Sequence, residues 1–82
     1  MGTSKEEIKN WIKTGQDKGA THMIVVCDTY DWDDYPVYVM PNEDVQTIYK
    51  QNHGPNMQKV MEVYNLKKDI QTQLNQHRAF EF

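Results

Sequence analysis

The run Asp28-Thr29-Tyr30-Asp31-Trp32-Asp33-Asp34-Tyr35 sets four carboxylates among four aromatic-or-hydroxyl side chains within eight residues, the densest functional cluster in an 82-residue chain. Carboxylate oxygens at alternate loop positions suit a hard cation such as Ca²⁺ or Mg²⁺, and Asp31-x-Asp33 has the beginning of that spacing. Neither the turn glycine nor the closing Glu of a calcium loop follows, so no metal ligand is assigned. The aromatic rings support a different chemistry. Tyr30, Trp32 and Tyr35 can stack on or wall in a flat ligand while Asp28, Thr29 and Asp31 bond its hydroxyls. The plain structural alternative is a hairpin loop whose Asp residues form Asx turns, with Trp32 folded back over the sheet.

Asn52-His53-Gly54-Pro55-Asn56 offers amides, an imidazole and backbone donors in a tight turn, and His53 with Asn56 can close the rim of such a pocket. The same residues also terminate a helix, Gly54 supplying a left-handed cap and Pro55 blocking continuation. Catalysis finds little footing, and no catalytic residue is assigned. Cys27 ends an apolar run with no nearby cation to lower its pKa, so it reads as a small core hydrophobe. His22, His53 and His77 lack the spacing of a helical metal pair.

These groups must be positioned by one small domain. Leu, Ile, Val and Phe number only sixteen, with five Met, five Tyr and two Trp adding apolar surface. A domain this small often needs a disulfide, a metal or a partner subunit. A single cysteine excludes an intrachain disulfide and a multi-cysteine zinc site, so homo-oligomerisation is expected. No apolar run approaches membrane-spanning length and no signal peptide begins at Met1, so the expected location is cytoplasmic, with no membrane partner.

Charge is unevenly placed. Residues 19–49 carry six carboxylates and no Lys or Arg, whereas the remainder holds all nine basic residues with the other six acidic ones. Net charge is −3, and no dense basic stripe offers itself to phosphates, which argues against DNA binding. The segregation favours self-association, an acidic hairpin of one copy meeting the basic first or last helix of another.

The pattern predicts an α+β fold, order α-β-β-α-β-α, with helices packed on one face of a three-stranded antiparallel sheet. Thr3 or Ser4 caps a first helix from about Lys5 to Gly19, with Ile8, Trp11, Ile12 and Gly15 inward. Thr21 to Asp28 reads as a buried strand, and Tyr35 to Met40 as its antiparallel partner across Thr29 to Asp34. Asn42 is expected to cap a helix beginning Glu43-Asp44, with Val45, Ile48 and Tyr49 inward. Met57 to Leu66 fits helix or strand. Strand from Lys59 to Tyr64 is preferred, with Val60, Glu62 and Tyr64 on one face and Met61 and Val63 on the other, because two strands alone are marginal. Asn65 is expected to cap a last helix with Ile70 and Leu74 inward and Gln73 solvated, and the tail Ala79-Phe80-Glu81-Phe82 to dock.

The strings Gly19-Ala20-Thr21-His22-Met23-Ile24-Val25-Val26-Cys27-Asp28-Thr29, Asp34-Tyr35-Pro36-Val37-Tyr38-Val39 and Val60-Met61-Glu62-Val63-Tyr64 resemble a family of small accessory proteins of tailed phages and prophages, over about half the chain. Many phage proteins of this length inhibit host defence. Some are homo-oligomeric sponges that sequester nucleotide-like immune signals between protomers, a likeness of size and not of motif. The resemblance therefore implies a non-enzymatic homo-oligomer in the host cytoplasm, without cofactor, that binds a nucleotide-like ligand at a subunit interface. The departure is that the nominated stretch has no cation for phosphates, so Lys5, Lys9, Lys13 or Arg78 of a neighbouring subunit would have to supply it. The alternative is an acidic, aromatic antagonist of a host protein, and a third reading is a metal-assisted phosphodiesterase.

Overall fold

The computed structural model describes residues 4–54, 57–76 and 78–82. In chain order the elements are α1 (Lys5–Lys18), β1 (His22–Asp28), β2 (Asp33–Val39), α2 (Val45–Asn52), β3 (Gln58–Asn65) and α3 (Ile70–Leu74), the expected α+β order. The sheet is antiparallel throughout, with strand order β2-β1-β3. The central strand is the one whose sequence is an unbroken apolar run. Met23 to Cys27 are all buried, as a strand covered on both faces requires.

That two-sided burial corrects the expected single covered face. Ile8 and Ile12 of α1, with Leu74 beside α1's end of the core, pack on Met23, Val25 and Tyr64. Val45, Ile48 and Tyr49 of α2 pack on the opposite face, over Ile24, Val26, Val39, Val60 and Val63. The cause is in β3. Its register against β1 shifts between Val25 and Val26, so Val25 faces Glu62 but Val26 faces Val60, leaving Met61 as the extra residue. This bulge breaks the simple alternation that puts Val60 with Tyr64, and turns Val60 to the α2 side together with Val63.

Local chemistry explains the element ends. Ser4 accepts from the Glu7 N–H at the start of α1, and Gly19 closes it at φ 80°. At Gly15, helix and sheet approach so closely that a Cβ would lie 2.9 Å from both Leu66 and the Tyr38 ring. Helix α2 starts later than expected, because Glu43 is used in a turn. Its carboxylate accepts from the Met40 N–H at 2.9 Å, and Asp44, not Asn42, caps the helix by accepting from the Thr47 N–H. Asp69, not Asn65, caps α3 in the same way.

The C-terminal segment docks as expected. Val63 donates to the Ala79 carbonyl at 2.8 Å, Glu81 donates back to the Val63 carbonyl at 3.0 Å, and Ala79 is fully buried. Among the described residues no helix is long and apolar enough to cross a membrane.

Candidate functional site

The β1–β2 connection is shorter than predicted, because Asp33 and Asp34 belong to β2 and only Thr29, Tyr30, Asp31 and Trp32 form the loop. The Asp28 carboxylate accepts from the Tyr30 N–H at 2.9 Å, an Asx turn, and the Asp28 carbonyl accepts from the Trp32 N–H at 2.6 Å. Thr29 points sideways, its N–H and its hydroxyl both donating to the Met57 carbonyl, at 2.7 and 2.8 Å. The start of β3 is thereby fixed to the hairpin.

Three large apolar side chains are left outside at this end: Tyr30 is 75% exposed, Trp32 61% and Met57 59%. Trp32 does not fold back over the sheet. Its φ is 58° and that of Met57 is 64°, left-handed values that disfavour residues with a Cβ by about 1–2 kcal/mol. Asp31 and Asp33 are exposed beside these residues. The tip is thus an apolar patch flanked by carboxylates on a backbone held by four hydrogen bonds.

The other nominated residues lie at the same end of the sheet and are engaged in contacts within the chain. Tyr35 accepts from the Gln58 side-chain amide at 2.5 Å and packs against the α2-side core. His53 stacks on Tyr49 with centroids 5.1 Å apart, and its Nδ1 accepts from the Val60 N–H at 3.2 Å. Tyr49 in turn meets the edge of Phe82 at 5.3 Å. Asn56 lies outside the described residues. The nominated set therefore divides into the tip, Asp28 to Trp32, and two residues engaged in contacts beside it, the half-buried Tyr35 and the exposed His53.

No family model, no curated protein and no solved structure matches the chain. Its function has to be read from the tip itself. The carboxylates do not converge: among the described residues no three His, Cys, Asp or Glu side chains gather where they could hold a metal ion. Cys27 is buried, and burial, followed by a hydrogen bond with Asp34, pushes its thiol above the ordinary range, away from the reactive thiolate. Met57 is the tip residue that sequence reasoning missed. Its position depends on a contact between segments 28 residues apart, and nothing in its local sequence signals exposure.

Proposed function

We propose that this chain is a non-enzymatic binding protein that docks through its hairpin tip onto a protein surface bearing Lys or Arg. The observation that carries this is the joint exposure of Tyr30, Trp32 and Met57, fixed by Thr29 and flanked by Asp31 and Asp33. A turn backbone already fixed by hydrogen bonds has little left to order on docking, and Trp and Tyr are prominent among interface hot spots. Carboxylates around an apolar centre select a cationic rim and speed encounter. The likeness to phage and prophage accessory proteins supports a partner in a host defence system, bound in the host cytoplasm.

Sequestration of a nucleotide-like ligand by the same residues has weaker support. Asp28 and Thr29, the groups meant for ribose hydroxyls, are already bonded within the turn and to Met57. Tyr35 and His53 are likewise used internally.

The test is a fluorescence titration of the protein with a Lys/Arg-rich helical peptide, beside an acidic peptide of equal length, with a nucleotide panel screened by thermal shift. Binding of the basic peptide alone, weakened about 30-fold by Trp32→Ala at unchanged melting temperature, is expected; that factor corresponds to a hot spot of about 2 kcal/mol. Equal binding by Trp32→Ala, or a rise of several degrees with one nucleotide, would overturn the reading.

A further inference from the structure

Lys5, Lys9 and Lys13 recur at every fourth position of α1, so they form a row along one flank of the helix, next to the buried Ile8 and Ile12. The opposite flank lies on β2: Tyr38 donates its hydroxyl to the Trp11 carbonyl at 2.9 Å, and the Lys18 ammonium sits 4.9 Å over the Tyr38 ring. The lysine row therefore looks away from β2, toward the side where Lys5 reaches the Gln76 carbonyl at 3.5 Å. All three lysines are exposed, and none forms an ion pair among the described residues. The molecule thus carries a cationic row on α1 and an acidic, aromatic tip at the β1–β2 turn.

Both sheet edges are poorly suited to pairing with another chain. The β3 edge is strapped by Ala79 to Glu81. The β2 edge carries Pro36 in mid-strand, which withholds a backbone donor. Association between copies has to use side chains.

We propose that the lysine row of α1 receives the hairpin tip of a second copy of this chain. The inference rests on the tip being a docking element, and adds a second copy of this chain to the Lys- or Arg-bearing surfaces on which it docks. Asp31 and Asp33 of one copy meet Lys9 and Lys13 of the next, while Tyr30 and Trp32 cover the lysine stems and face their ammonium groups, a cation–π arrangement. Like charges separate the two tips and the two lysine rows, so the contact joins unlike patches.

The experiment is the solution mass by light scattering, over a concentration series, at low salt and at about 0.5 M salt, where exposed charges are screened beyond a few ångströms. Four samples are compared: wild type, Asp31→Lys with Asp33→Lys, Lys9→Glu with Lys13→Glu, and an equimolar mixture of the two double variants, each checked for native circular dichroism. The wild type is expected to self-associate at low salt and dissociate at high salt. Each double variant should be monomeric, and the mixture should associate again, because each reversed patch finds its reversed complement. A monomeric wild type at every concentration, or association undiminished in both variants, overturns the proposal. A monomeric wild type that still binds the basic peptide through Trp32 removes only the second copy as partner, whereas failure of both removes the tip as a docking element.

Discussion

Thr29 and Met57, 28 residues apart, are joined by two hydrogen bonds to one carbonyl oxygen, from the Thr29 hydroxyl at 2.8 Å and its N–H at 2.7 Å. This fork ties the hairpin to the first residue before β3 and so brings Met57 to the end of the sheet that carries Trp32. A tip without it would have two independently moving halves.

Replacing Thr29 with Val keeps the shape and the N–H bond but deletes the hydroxyl donor. The expected loss is about 1 kcal/mol, the ordinary net worth of such a bond. Urea denaturation reads the stability, and hydrogen exchange at the residue 29 amide reads the loosening of the fork. An unchanged midpoint with unchanged exchange would mean that the N–H bond alone holds the two segments.

Trp32 separates two effects that are usually confounded. Its side chain is outside, so Trp32→Ala should reduce stability by less than about 1 kcal/mol, far below the ~3–5 kcal/mol of a buried aromatic. Its φ of 58° is left-handed, so Trp32→Gly should be more stable than Trp32→Ala by about 1 kcal/mol. Thermal melts of the two variants side by side check the order. Ala above Gly would show that the turn relaxes once the indole is gone.

Local patterns made most of the fold legible. The five-residue apolar core of β1, the Gly19 stop and the acidic first turn of α1 all act within a few residues of themselves, which is why sequence reading recovers them. What it misses depends on contacts between distant segments. The turning of Val60 to the α2 face follows from a bulge opposite Val25, and no residue type in β3 announces it. Asn42 and Asn65 are good caps by type, yet Glu43 takes the Met40 N–H and Asn65 is held at its strand end, so Asp44 and Asp69 cap instead. Of the site, the tip is visible as composition, but the exposure of Trp32 comes with a left-handed turn that its residue type does not announce, and the arrival of Met57 depends on Thr29 reaching it.

Gln73 shows how a polar residue on a short helix becomes part of the core. It was expected in solvent, yet it is buried: its Oε1 accepts from the Asn65 N–H at 2.7 Å, and its Nε2 donates to the Asn65 and Asp69 carbonyls at 2.9 and 3.1 Å. The side chain thus closes the β3–α3 connection by standing in for a strand partner. Gln73→Leu preserves volume but leaves the Asn65 N–H and carbonyl without that partner, at an expected loss of about 2 kcal/mol in denaturant unfolding. Gln73→Glu keeps the acceptor and loses the donor, so it should also destabilise, through a carboxylate held against a carbonyl. Wild-type stability in both would mean that water satisfies Asn65 as well as Gln73 does.

His22 supplies a pH dependence whose sign follows from one atom. The Thr21 hydroxyl lies 2.9 Å from His22 Nδ1 and 3.2 Å from the Val39 carbonyl, so Nδ1 of the neutral ring has a hydrogen-bond partner. Nε2 is buried and has no hydrogen-bond partner among the described residues. A second proton there would charge the ring in a site that lacks an acceptor, and burial, followed by the positive charge of Lys68, holds the His22 pKa below its ordinary value of 6.5. In the window between the folded value and 6.5 the unfolded chain binds a proton that the folded chain does not, so stability rises with pH there. The contribution is complete above 6.5 and is lost as pH falls toward the folded value. For Asp69, hydrogen bonds from Thr72 hold the pKa below 3.8, so its contribution is present above 3.8 and is lost only as pH falls below it. Urea midpoints at pH 7.5 and pH 5 should therefore differ for wild type and converge for His22→Gln, which has no titrating ring. An equal fall in both proteins would assign the pH dependence to other groups and remove His22 from it.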